Sequence, residues 1–342
     1  MTLVVRTRDS EGGSLMPSPF ISALLADPKV PVLRVRDYAP ELMPTPSTPP
    51  FLQQSLLAER ERLVHRFFGP HDGIIGPGRF TPPVGVSATM LEDYLNCPFR
   101  YMARSVWKLR EPPDTQVRSF PDPGSHGRML HRSLELILSG KTMEAAVEET
   151  LGEKDLVAEL GSESFASNYR EVLLKRVGSV MEYFTENEIR PLAGEVALEG
   201  TIAGIPARGR MDILAESPAG IIALDLKTGS PDKTANPLQK KNLFQLPVYY
   251  VLCPDRPAEL GYLHIHHSGA PVLNRVTAGQ VEAELPEVEA RIRTIFDRIR
   301  AGVFPPSGNP EICRFCGFKS LCRISPGTRL KGKEVHEEPA SP

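Results

Sequence analysis

Hydrophobic and polar positions change period several times along this 342-residue chain, and each change marks an element. Residues 127–139 carry Met129, Leu130, Leu134, Ile137 and Leu138 on one stripe of helical spacing. The same period predicts helices over 142–150, 164–190, 236–253 and 278–302. Upstream, Ser87 is an N-cap residue ahead of Met90, Leu91 and Tyr94, so a helix should open there and end near Cys97-Pro98. A second helix is expected to run on through Trp107, and a charged helix is a candidate over 52–68. In between, the period shortens to that of strands. Sheet segments are predicted at 195–199, 201–203 with 205–214, 221–227 and 259–266, which places the chain in the α/β class.

Two of these strands carry chemistry. Segment 207–214 holds Asp212, and segment 221–227 holds Asp225 and Lys227. The turn formers of 215–220 lie between them, which predicts a β-hairpin with its acids facing one another. Residues i and i+2 of a strand project from one face, so the Lys227 ammonium should lie beside the Asp225 carboxylate. A hard cation such as Mg²⁺ takes oxygen ligands and keeps waters for its substrate, which is what two aspartates suit. Taken alone, Asp-x-Lys is more often part of a solvated surface hairpin. The apolar run Ile221, Ile222, Ala223, Leu224 leading into Asp225 points instead to a buried strand that delivers an acid at its end.

Other residues point the same way. Gln245 and Tyr249 are four apart and share a face of the expected 236–253 helix. His131 falls beside the apolar stripe of 127–139, a position more often held by a satisfied core or boundary histidine than by a ligand. Glu195 reads as an edge-strand glutamate or as a further acid near the site.

Four motifs now stand in order: Gly127-x-x-x-His131, Gly209-Arg210-Met211-Asp212, Asp225-Leu226-Lys227-Thr228-Gly229 and Gln245-x-x-x-Tyr249. Together they resemble the PD-(D/E)XK nuclease superfamily, in particular the RecB/AddB-type nuclease domain of bacterial helicase–nucleases. Met211 stands where the superfamily's name has proline, a position that contributes no ligand. The resemblance implies a restriction-endonuclease-like mixed β-sheet flanked by helices. It implies Mg²⁺ or Mn²⁺ held by His131, Asp212, Asp225 and the backbone carbonyl of Leu226, with Asp212, Asp225 and Lys227 catalytic. Gln245 and Tyr249 would then support Lys227 and the DNA strand. The activity implied is a deoxyribonuclease, most simply an exonuclease on single-stranded or unwound DNA in repair or recombination, fed by an AddA-like or RecB-like helicase subunit. A non-catalytic DNA-binding subunit of such a complex is the alternative, and the presence of all four metal-site residues argues against it.

Five cysteines add a second line. Three stand together as Cys313-x-x-Cys316-x₅-Cys322, Cys97 lies far upstream, and Cys253 is left over. Spacing alone allows zinc, an iron–sulfur cluster or free thiols. The resemblance implies a [4Fe–4S] cluster on Cys97, Cys313, Cys316 and Cys322, because AddB-type nucleases carry one cysteine before the nuclease core and three after it. Such a cluster would join the N- and C-terminal segments of the domain.

Composition sets bounds. With 41% hydrophobic and 24% charged residues the chain reads as globular, and its net charge of −2 argues against indiscriminate nucleic-acid binding. Basic residues are nonetheless local: Arg100, Arg104, Lys108 and Arg110 follow Cys97, and Arg314, Lys319, Arg323, Arg329, Lys331 and Lys333 follow Cys313. No apolar run of about 18 residues suggests a membrane span, and no signal peptide is seen, so a cytoplasmic location is expected. A Gly-x-x-x-x-Gly-Lys-Ser/Thr loop is missing, which excludes P-loop nucleotide hydrolysis. Three regions are expected: a proline-rich segment over 1–84 that faintly resembles the end of a helicase region, a nuclease domain over 85–325 with the cluster, and a disordered charged tail over 326–342.

Overall fold

The computed structural model describes residues 49–64, 67–111, 123–153, 163–234, 236–238, 244–265, 270–314 and 316–323. The expected tail and most of the proline-rich segment lie outside these residues. The chain divides into two compact units, one of residues 83–92 and 113–296, the other of residues 1–82, 93–112 and 297–342.

Five strands form the sheet of the first unit: β1 (Arg190–Ile202), β2 (Ile205–Ser217), β3 (Gly220–Lys227), β4 (Glu259–His264) and β5 (Val272–Thr277). Their spatial order follows the sequence, and the pairs are antiparallel except β3 with β4, which run parallel. The sheet is therefore mixed, as expected. The pieces foreseen at 195–199 and 201–203 are one strand, β1, paired with β2 along its length. Strand β5 was not foreseen, because as an edge strand it buries only Val276 and carries no clean alternation.

Period 2 sorts the side chains of β3 to opposite faces. Ile222, Leu224 and Leu226 enter the main core with Ile213, Ala215, Leu263 and Ile265. That face is covered by α4 (Pro123–Leu138), α5 (Met143–Gly152) and α6 (Glu163–Glu186), whose Leu130, Leu134, Val147, Leu173 and Val177 are fully buried. Removing one such leucine side chain costs about 2–5 kcal/mol, so this face anchors the unit. Asp225 and Lys227 take the other face. There they meet α7 (Gln245–Leu252), shorter than the helix expected over 236–253: residues 236–238 form a bend and turn, and helix begins at Gln245.

In the second unit, α1 (Pro50–Val64) is held by Arg62, whose Nε donates to Asp72 Oδ1 (3.1 Å) and whose Nη2 donates to the Cys322 carbonyl (2.8 Å). Ser87 caps α2 (Ala88–Asn96) as predicted, its Oγ accepting from Met90 N–H at 3.2 Å. After α2 a short helix α3 (Pro98–Tyr101) leads into a π-helical turn, Met102–Val106, rather than one continuous helix. The remaining helices are α8 (Ala278–Arg300), α9 (Pro310–Arg314) and α10 (Lys319–Cys322). Gly73 adopts φ +98°, and an added β-carbon there would meet the Phe304 carbonyl oxygen at 2.1 Å, so only glycine fits. No described helix is long and apolar enough to cross a membrane.

Candidate active site

The site forms where β2 and β3 stop pairing. Their ladder ends at Ile213↔Leu224. Beyond it, Asp212 Oδ2 accepts the Leu226 N–H at 2.7 Å, so a carboxylate takes the place of a ladder carbonyl. Leu226 itself points its side chain into the core. The other Asp212 oxygen lies 3.4 Å from His131 Nδ1. His131 comes from α4, whose Gly127 lies one turn earlier against Thr228: a β-carbon there would already stand 3.4 Å from Thr228 Oγ1. The glycine and histidine of the first motif thus let the helix approach the end of β3 and deliver an imidazole. His264 steadies that end, its Nδ1 lying 3.0 Å from the Gly229 carbonyl.

Asp225 is the buried member, 3% exposed. Its Oδ1 accepts from Gln245 Nε2 and from Tyr249 Oη, each at 3.0 Å. Tyr249 Oη also lies 2.8 Å from the Arg210 carbonyl, which fixes the ring against β2. Lys227 Nζ stands 2.6 Å from Asp225 Oδ2 and donates to Gln245 Oε1, also at 2.6 Å. Oδ2 is thus buried against that ammonium. Below, the Tyr262 ring centroid is 5.2 Å from Nζ. The helical spacing of Gln245 and Tyr249 and the strand spacing of Asp225 and Lys227 thus converge on one carboxylate.

Glu195, an edge-strand residue, also stands beside the Asp212 carboxylate. The β1–β2 register pairs Gly194 with Ile213 and Val196 with Met211, which sets Glu195 opposite Asp212, yet the ladder skips that pair. Glu195 has φ +50°, the left-handed region that non-glycine residues seldom enter. Its carboxylate, an oxygen of Asp212 and a nitrogen of His131 all lie within 4.8 Å of one another, the only such group among the described residues. Arg210 Nη1, 3.0 Å from Glu195, is mostly exposed and neutralises it only in part. Like charges directly across a ladder destabilise a sheet, and here the backbone departs from regular geometry to keep them together. The β1–β2 register and the left-handed backbone at this residue, which no residue pattern announced, bring Glu195 in.

Electrostatics follow from this crowding. Burial, then the charge of Asp212, raises the Asp225 pKa against the opposing pull of Lys227. Burial and the Asp212 carboxylate likewise raise that of Glu195. For His131, burial disfavours the imidazolium, but the hydrogen bond to Asp212 and the charges of Asp212, Asp225 and Glu195 outweigh it and raise the pKa. The Asp212 carboxylate thus makes Asp225 and Glu195 harder to ionise, an effect that a divalent cation offsets.

The four predicted cysteines also come together, within the second unit. Cys97, Cys313, Cys316 and Cys322 line one small pocket with Phe99, Arg100, Ile312, Phe318 and Lys319. No three of their sulfurs approach within 4.8 Å of one another. None of them forms a disulfide, nor does Cys253, which is buried elsewhere.

The fold and this site define a class. The family model of the PD-(D/E)XK nuclease superfamily matches residues 85–323, and the chain belongs to that superfamily. Solved structures are more distant. A protein from Eubacterium rectale described as a candidate exonuclease is 13% identical over 70% of this chain and 87% of its own, with a TM-score of 0.40. The protein SSO0001 is 18% identical over 59% of this chain and 96% of its own, with a TM-score of 0.30. No curated protein matches the sequence.

Proposed function

We propose that this protein is a divalent-metal-dependent deoxyribonuclease, acting as an exonuclease on single-stranded or unwound DNA. One observation carries the reading: the buried Asp225 carboxylate lies 2.6 Å from Lys227, with Gln245 bonded to both and Tyr249 bonded to Asp225. A carboxylate buried beside other carboxylates is costly in its ionised form unless cations compensate it. The donor set fits a hard cation: His131, Asp212, Asp225 and the Leu226 carbonyl would hold Mg²⁺ or Mn²⁺, with Glu195 as an additional oxygen donor. When bound, such an ion polarises a phosphodiester and acidifies water beside it.

The remaining work falls to the chain's own residues. Lys227 carries three N–H donors. Gln245 Oε1 takes one and the Asp225 carboxylate draws the second, which leaves a third for the attacking water or a phosphoryl oxygen. Gln245 aligns both partners at once, since its amide nitrogen binds Asp225 while its oxygen binds Lys227. Tyr249 keeps the Asp225 carboxylate from rotating away.

The cysteine pocket supports a second cofactor, a [4Fe–4S] cluster on Cys97, Cys313, Cys316 and Cys322. A single zinc with Zn–S bonds of about 2.3 Å draws its thiolates to within about 3.8 Å of each other. Sulfurs that line one pocket with no three of them within 4.8 Å suit a polynuclear centre better. We place the enzyme in DNA repair or recombination, receiving its strand from a separate AddA-like or RecB-like helicase subunit.

Anaerobically purified protein, incubated with 5′- and 3′-labelled single- and double-stranded DNA with and without Mg²⁺ or Mn²⁺, tests the activity. Cleavage should require metal and vanish in Asp225→Ala and Lys227→Ala while DNA binding persists. Wild-type cleavage by either variant would refute the assignment. Visible absorption together with iron and zinc analysis tests the cluster, and a colourless protein with stoichiometric zinc would overturn it.

A further inference from the structure

The stretch Trp107-Lys108-Leu109-Arg110 is exposed throughout and follows directly on the π-helical turn Met102–Val106. Such turns are rare and recur at functional sites. Trp107 N–H closes the turn on the Met102 carbonyl at 2.9 Å, and Leu109 N–H reaches back to the Ala103 carbonyl at 3.0 Å. Between them Lys108 has φ +55°, a left-handed conformation that costs a non-glycine residue about 1 kcal/mol or more. The two hydrogen bonds fix the chain on either side of that strain. The indole packs edge-on against buried Phe99, centroids 6.3 Å apart at 86°, yet remains 44% exposed. One contact therefore sets the ring's orientation while much of its surface faces water.

Charge around this ring has one sign to spare. Arg100 is paired with Glu111 at 3.1 Å and Arg104 lies 3.8 Å from Asp93. Lys108 and Arg110, which flank the ring in sequence, have no ion pair among the described residues. A pre-oriented aromatic between two free cations matches the chemistry of a polynucleotide whose bases are unpaired: a base stacks on the ring and neighbouring phosphates meet the cations. A duplex hides its base faces and offers no such partner.

We propose that Trp107, Lys108 and Arg110 form a stacking platform for single-stranded DNA, separate from the catalytic carboxylates. That the polymer is DNA rests on the function proposed above; the platform itself needs no metal.

Trp107 is the only tryptophan in the chain, so its emission reports on the site directly. The experiment titrates full-length protein with an oligo(dT) strand in EDTA, where cleavage is silent. Emission and the polarisation of a labelled strand are followed together. Saturable quenching should track binding, and Trp107→Ala should weaken affinity about 5- to 100-fold while Trp107→Phe retains most of it. Lys108→Ala with Arg110→Ala should flatten the slope of log affinity against log salt by about 1.4, two phosphates at about 0.7 each. Should Trp107→Ala unfold, Trp107→Phe and the charge variant still decide. Unchanged emission at saturation, wild-type affinity in Trp107→Ala, equal quenching by duplex, or no binding in EDTA would each overturn the platform. Metal-dependent cleavage, assayed apart, judges the nuclease reading on its own.

Discussion

Replacing Asp225 by asparagine should stabilise the metal-free protein while abolishing its response to metal. In the wild type the carboxylate is 3% exposed, so its charge is poorly solvated. A charge so placed costs about 1–3 kcal/mol or more, and the Asp212 charge adds repulsion. Lys227 offsets part of this, but its side chain is 30% exposed, so the ion pair is discounted for screening to about 1 kcal/mol or less. Asparagine keeps the acceptor used by Gln245 and Tyr249, and Lys227 can turn to water. A net gain of about 1 kcal/mol follows, or about 2–4 °C in a domain of this size. Because the folded-state pKa of Asp225 is raised, its favourable contribution is complete below the ordinary aspartate range and is lost as pH rises through the raised value. The gap between variant and wild type should therefore be absent in acid and open toward neutral pH. Thermal melts in EDTA across that range, repeated with saturating Mn²⁺, make the measurement. Mn²⁺ should raise the wild-type melting temperature and leave Asp225→Asn unmoved. A variant that melts at or below wild type in neutral EDTA, or a gap that ignores pH, would refute the reasoning.

Further outcomes follow from the same geometry. Gln245→Leu removes both bonds that align Lys227 with Asp225, so single-turnover cleavage should slow about 10- to 100-fold at unchanged DNA affinity. Glu195→Gln should weaken Mn²⁺ binding about tenfold by calorimetry, and unchanged affinity would remove Glu195 from the ligand set. Mn²⁺ affinity of the wild type should rise with pH, since a raised His131 must lose its proton before it can ligate. Gly73→Ala should lower the melting temperature by the equivalent of at least about 2 kcal/mol, because the β-carbon clashes with backbone rather than a movable side chain.

The sequence by itself determined the local parts of the site. Period 2 in 221–227 put Asp225 and Lys227 on one face, and the four-residue spacing put Gln245 and Tyr249 on one side of a helix, whatever the surrounding fold. The order of the motifs sufficed to recognise the superfamily. Tertiary structure decided what depends on register and long-range closure. Glu195 reaches Asp212 because the β1–β2 register sets the two opposite each other, and a one-residue slip would have sent its side chain to the opposite face. Strand β5 escaped notice because an edge strand with one buried residue leaves little hydrophobic pattern. The pocket of four cysteines and the tie from Arg62 to Cys322 join residues far apart in the chain. Periodicity reports only which face of its own element a residue occupies, so which faces meet is settled by packing alone.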